Sequence, residues 1–280
     1  MCVHLARCNL LPANDTVMED LQFNIGDTLA WFAHQCENPY VLVRVTDAQA
    51  ATWGTALGVA IRQCYITDDL LQQSAAKHGM TKAQVLATKL PDAGAVMSGD
   101  FGEILVYFYQ SANAYPEPTF GPKKWRLKQD RTKPAPYSDV VHFHLPRWPT
   151  ATANDVIYCS EVKSKATPGD STPITSAIAD CAKDRTSRLA DTLVWLRERA
   201  TTEDLGDVTI PHLNRFINAT DFPLAQKRFR AVAVICASLV DGELPNAPAA
   251  ASPDYTLVII SVPRLKEAYT AMYNAVRATV

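Results

Sequence analysis

The stretch Asp155-Val156-Ile157-Tyr158-Cys159-Ser160-Glu161-Val162-Lys163 decides how the chain is read. Val, Ile and Tyr favour a pleated strand, and in a strand alternate side chains share a face. Glu161 and Lys163 therefore project together, a carboxylate beside an ammonium, with Ile157 and Cys159 behind them. Upstream lies a second β-like run, Asp139-Val140-Val141-His142-Phe143-His144-Leu145, and the loop 146–154 between them holds two prolines and small polar residues. The pair reads as a hairpin. With its midpoint near Thr150, the antiparallel register sets Asp139 opposite Glu161, and a slip of one residue would break that arrangement. His142 and His144 fall on the strand face opposite Asp139 and read as outer-face residues, not ligands.

Further upstream, Ser98-Gly99-Asp100-Phe101-Gly102-Glu103-Ile104-Leu105 reads as a helix start, with Ser98 as N-cap and Phe101, Ile104, Leu105, Phe108 and Ala112 at helical spacing. Glu103 lies off that apolar stripe, on the side of Gly99, Gly102 and Val106, where small residues let another backbone approach. A helix carboxylate, a strand aspartate and then Glu-x-Lys on the next strand is an order that resembles the PD-(D/E)xK nuclease superfamily. One departure is that Ser138, not proline, precedes Asp139, with Pro136 two residues further back. The nearer resemblance is to the effector nucleases of the Hachiman anti-phage systems, the HamA type. It rests on Gly-Asp-Phe-Gly-Glu-Ile-Leu at 99–105, the basic segment after it, Ser-Asp-Val-Val-His-Phe at 138–143 and Glu-Val-Lys at 161–163.

Composition sets the bounds. At 280 residues with 48% apolar content the chain can bury a real core, and a formal net charge of −2 means that contact with nucleic acid needs a local basic surface or a partner. No apolar run approaches the ~20 residues of a membrane span, and the start lacks a basic segment followed by an apolar one, so a cytoplasmic protein without membrane contact is expected. The seven cysteines are odd in number and none are spaced like zinc ligands, which points to free, mostly buried thiols.

In chain order, Thr28 to Cys36 is a short helix candidate, Tyr40 to Val45 a β-like run, and Asp47 to Cys64 a helix whose Gly54 and Gly58 suggest close packing. Thr67 caps a helix to about His78, and Thr81 with Gln84 forms a capping box for another ending near Leu90. His34 and His78 read as structural. Residues 1–94 are thus expected to be a mainly helical N-terminal part, and 95–280 the nuclease core. After the Glu103 helix comes the most basic segment, Lys123, Lys124, Arg126, Lys128, Arg131 and Lys133, with only Asp130 opposing. Charge runs are usually solvated faces. Its lead into Asp139 instead suggests an approach for a phosphodiester, which needs cations around it when carboxylates surround the scissile bond. Thr175 to Ala200 has the longest helical spacing, Ile210 to Ala219 is another helix, Phe229 to Leu239 and Tyr255 to Val262 read as buried strands, and Arg264 to Ala278 closes as an amphipathic helix.

The expected fold is therefore α/β. The resemblance implies a restriction-endonuclease-like core, a mixed sheet flanked by helices, with an N-terminal helical part. It also implies catalytic Glu103, Asp139, Glu161 and Lys163. A divalent ion, Mg2+ or Mn2+ in its place, would be held by Asp139, Glu161 and Glu103 with the Val162 carbonyl, hard oxygen donors of the kind Mg2+ prefers. Lys163 would orient the attacking water, stabilise charge or exchange protons. Lys123, Lys124, Arg126 and Lys128 would contact DNA from the basic segment, and Lys183, Arg185 and Arg188 from the helix that in this superfamily flanks the site. The Hachiman resemblance further implies an anti-phage effector restrained by a helicase partner of the HamB type. A restriction- or repair-type nuclease and a non-catalytic binding module are the alternatives.

Overall fold

The computed structural model describes residues 17–32 and 34–280. Residues 1–16, with Cys2 and Cys8, lie outside the described residues, as do the side chains of His34 and Cys36. Strands β1 (Val17–Met18) and β2 (Phe23–Asn24) form a small ladder, followed by a 3-10 stretch, Ile25–Phe32, and the antiparallel pair β3 (His34–Glu37) and β4 (Tyr40–Arg44). The helix expected from Thr28 is therefore a 3-10 turn running into a strand. Three helices follow, α1 (Asp47–Tyr65), α2 (Asp68–His78) and α3 (Lys82–Ala87), then α4 (Ala95–Ala114). Thr46 and Thr81 each close a capping box, and Thr67 caps α2 by accepting from the Leu70 N–H. Helix α4 starts at Ala95 after Gly94, whose φ of +144° ends the preceding turn, so Ser98 lies inside it and is not its cap.

The remaining elements are β5 (Val140–His144), β6 (Val156–Lys165), α5 (Pro173–Lys183), α6 (Leu189–Arg199), α7 (Ile210–Ile217), β7 (Gln226–Cys236), α8 (Val240–Glu243), β8 (Thr256–Val262) and α9 (Leu265–Arg277). A π-helical turn, Asp184–Arg188, joins α5 directly to α6. Six strands form one mixed sheet in the order β3-β4-β8-β7-β6-β5, parallel from β4 to β6 and antiparallel at both edges. The expected α/β architecture is present, and the Tyr40 strand of the N-terminal part is one of its members. Strands β7 and β8 are apolar on both faces because both are covered. Val232, Val234, Val258 and Ile260 pack under α1, α4 and α9, while Ala231, Ala233 and Ile259 pack under α5. Gly54 and Gly58 of α1 both face Ala275 of α9, as their spacing suggested.

Two contacts set the position of the Glu-x-Lys strand. Helix α4 crosses β6 at Gly102, where an added Cβ would meet the Ser164 hydroxyl and require it to turn away, while Val162 lies at ordinary contact distance. On its other face, Ile157 and Cys159 pack in one cluster with Leu189, Leu193 and Leu196 of α6 and Leu213 and Phe216 of α7. No helix among the described residues is long and apolar enough to cross a membrane.

Candidate active site

The hairpin pairs Val140 with Ser160 and His144 with Val156, which is the register centred on Thr150. Extended by one step, it sets Asp139 opposite Glu161. Because β5 begins at Val140, the second half of β6 has no neighbour on that side, and its backbone groups turn to a side chain instead. Asp139 Oδ2 accepts the Val162 N–H at 2.8 Å. In an extended strand the N–H and C=O of one residue leave on the same edge, so the Val162 carbonyl also faces the Asp139 side.

Glu161 and Lys163 share a face, as their spacing requires. Lys163 Nζ donates to Glu161 Oε1 at 2.7 Å and pairs with Asp180 Oδ2 at 2.7 Å. Arg188 Nη2 donates to Glu161 Oε2 at 2.6 Å, and the same guanidinium holds Asp184 Oδ1 through Nε at 2.6 Å and the Asp180 carbonyl at 2.8 Å. Glu103 reaches the Asp139 neighbourhood from the opposite face of the sheet, buried beneath Trp125, whose indole N–H donates to its Oε2 at 3.0 Å. Buried Lys124 donates to the Ser138 carbonyl and lies 3.4 Å from that of Asp139.

Charge follows from this crowding. Burial first, and then the neighbouring Asp139 carboxylate, raise Glu103 well above the usual range and push Glu161 up to about 8. Asp139 is itself raised by burial, against the pull of Lys124 and the Val162 N–H. Burial would lower Lys163, but Asp180 and Glu161 win and hold it above its ordinary value. Lys163 is thus held as an ammonium beside the carboxylates, suited to stabilise charge or orient water. Asp180, although burial opposes it, is drawn down to about 2 by Lys163 and Lys183.

No three His, Cys, Asp or Glu side chains among the described residues converge closely enough to hold one ion. In this structure Lys124, Lys163 and Arg188 meet the cluster's charge. The donor chemistry nonetheless suits a hard divalent ion, because Asp139 repels both Glu103 and Glu161 and the Val162 carbonyl lies on the Asp139 side. Loading such an ion would require Lys163 or Arg188 to yield one Glu161 oxygen.

A family model described as HamA matches residues 34–276, a span that includes all of these side chains. The chain belongs to the HamA family. Membership makes it a component of Hachiman-type antiviral defence. No curated protein matches the sequence.

Within this HamA-family fold the sequence reading of the basic segment needs correction. Lys123, Lys124, Arg126 and Lys128 are not a DNA-facing surface: Trp125 and Leu127 carry the segment into the interior, where Lys123 is 0% exposed. Lys123 pairs with Asp20 at 2.6 Å, Arg126 donates to the Gln63 carbonyl at 2.8 Å and Lys128 pairs with Asp100 at 2.8 Å. The opposing acids lie far away in sequence, which is why a local charge count missed them. His142 and His144 are also buried and not outer-face; the His142 ring lies 4.1 Å from that of Tyr107 on α4.

Of the three helix cations, Arg188 reaches the carboxylates, while Arg185 pairs with Asp254 and the exposed Lys183 with Asp180. The sequence reading missed Asp180 and Asp184. The signal was present, since Asp180, Asp184 and Arg188 recur every four residues on the helix that follows the Glu-x-Lys strand.

Ser138, standing where the superfamily pattern has proline, has work that proline cannot do. Its N–H donates to Thr192 Oγ1 at 3.1 Å and its hydroxyl to Asp184 Oδ1 at 2.7 Å. Tyr137 before it has φ of +66°, a region that the residue preceding a proline avoids. Ser138→Pro is expected to lower stability by about 3 kcal/mol, and Ser138→Ala by less, since both lose the hydroxyl's bonds with Asp184 and Thr192 and only proline also loses the backbone N–H bond to Thr192. Equal thermal midpoints for the two variants would refute the backbone contribution.

Proposed function

We propose that this HamA-family chain is a metal-dependent nuclease of the PD-(D/E)xK type that hydrolyses phosphodiester bonds of DNA. The observation that carries the reading is the hairpin register, which aligns Asp139 with Glu161 and hands Asp139 the Val162 N–H beyond the end of its own strand. Asp139 and Glu161, with the Val162 carbonyl and with Glu103 from the other side, would hold Mg2+ or Mn2+. The ion, when bound, supplies a water of lowered pKa and a counter-charge for the transition state. Lys163, held as an ammonium, supplies positive charge beside the carboxylates to offset charge that develops on the phosphate oxygens. Arg188 keeps Glu161 oriented.

The test is incubation of the purified protein with plasmid, linear duplex and single strands, in Mg2+ and in EDTA. Cleavage that requires Mg2+ supports the enzyme. A second reading, a non-catalytic binding module, is favoured by the engagement of both Glu161 oxygens with protein cations. Nucleic-acid binding without cleavage in Mg2+ would select it.

Restraint is proposed to come from a helicase partner in the same defence system. Expressed alone, the protein is expected to be toxic to bacteria, and co-expression with the neighbouring helicase should suppress toxicity and yield a co-purifying complex. Harmless protein that never co-purifies with a helicase would sink this part of the account.

A further inference from the structure

The connection between α7 and β7, residues 218–225, carries two apolar side chains into solvent, Phe222 at 38% and Leu224 at 82% exposure. The backbone between them is pinned. Buried Arg215 of α7 donates through Nη2 to the Pro223 carbonyl at 2.8 Å and the Thr152 carbonyl at 2.9 Å, and through Nε to buried Asp155 at 2.6 Å. Its guanidinium also lies 5.5 Å from the centre of the Phe222 ring, and the Gln226 N–H closes onto the Asp155 carbonyl at 2.9 Å. The two side chains are thus presented on a preorganised loop, which loses little freedom when it is covered.

Cations without counter-charges follow directly. Lys227, Arg228 and Arg230 make no ion pair among the described residues, and Asp221 is the one carboxylate between 219 and 230. Arg228 and Arg230 lie over the Tyr158 ring, 5.7 and 5.1 Å from its centre, and Arg228 donates to Gln226 Oε1 at 3.0 Å. An apolar centre flanked by charges of one sign matches a protein surface that offers an apolar hollow edged by carboxylates. Other occupants fit less well. An aliphatic leucine has no planar face for a base to stack on. Two apolar side chains bury far less than the single acyl chain that by itself gives only marginal membrane binding. A two-fold contact between copies would set like charges on like. We propose that Phe222, Leu224 and the cations at the start of β7 form the docking surface for the helicase partner, which presents an apolar hollow edged by Asp and Glu. The inference rests on the proposed restraint by that helicase.

The experiment measures the affinity of purified full-length protein for the purified neighbouring helicase by biolayer interferometry, at low and at high salt. Leu224→Asp is expected to weaken binding about a hundredfold, and Lys227→Glu with Arg228→Glu about tenfold with a flatter salt dependence. All three positions are exposed, so thermal midpoints should match wild type. Leu70→Asp, at a 48% exposed position on α2, should bind as wild type does. A Leu224→Asp protein that keeps wild-type affinity would overturn the surface and leave the helicase complex standing. No binding by wild-type protein would overturn the helicase reading and this surface with it. With helicase affinity intact, weaker binding of a single-stranded oligonucleotide in EDTA by the double variant would reassign the patch to nucleic acid. Loss of flotation with phosphatidylserine vesicles, or of self-association in sedimentation, by Leu224→Asp would likewise overturn the proposal in favour of lipid or a second copy.

Discussion

Glu161→Gln is expected to reduce Mg2+-dependent cleavage by about a hundred- to a thousandfold while the protein stays folded. The residue lies between Lys163 and Arg188, yet neither cation is stranded when the charge goes: Lys163 keeps Asp180, and Arg188 keeps Asp184 and the Asp180 carbonyl. The same substitution carries a pH signature that a merely structural role would not. With its carboxyl pushed from an ordinary value near 4.5 up to about 8, Glu161 binds a proton in the folded state that the unfolded chain has already lost across that interval. Its contribution to stability is therefore full below pH 4.5 and is lost as pH rises through 8. Wild-type stability should fall relative to that of the glutamine variant over this window. Parallel pH profiles of the two unfolding midpoints would contradict the raised carboxyl, and retained cleavage in both Glu161→Gln and Asp139→Asn would remove the assigned site.

Lys123→Met should have the largest effect on stability, about 3–5 kcal/mol, without acting on nucleic acid directly. The ammonium is fully buried, lies 2.6 Å from Asp20 and 3.4 Å from Asp207, and stands 5.1 Å from the centre of the Tyr107 ring. Removing it leaves Asp20 with Arg126 at 3.7 Å as its remaining ion-pair partner. Reversal to Glu would bury a second carboxylate against Asp20 and is expected to give insoluble protein. Denaturant midpoints measure the loss, and nucleic-acid affinity per folded molecule should match wild type. A Lys123→Met protein of normal stability that binds nucleic acid weakly with a flattened salt dependence would restore the segment as a phosphate-contacting surface.

Local pattern was sufficient for the hairpin, because alternation over five residues on each side and a turn of known length leave a single register that buries Val141, Phe143, Ile157 and Cys159 together. The same pattern put Glu161 beside Lys163 and opposite Asp139. The caps at Thr67 and Thr81 were equally legible, the second because a Thr followed three residues later by Gln satisfies exposed N–H groups through contacts within one turn. What local pattern could not supply was burial and long-range pairing. The cations at 123–128 look solvated until Asp20, Asp100 and the Gln63 carbonyl arrive from elsewhere in the chain. Ser138 looks like a defect in a motif until Thr192 and Asp184 are seen to need its donors. Arg188 reads as a phosphate contact until the fold sets its guanidinium on Glu161 and Asp184. The sequence by itself determined which residues alternate, cap and turn. Only the tertiary structure decided which charges are spent inside the molecule and which are left to act, because the energy of a charge depends on what the fold brings beside it.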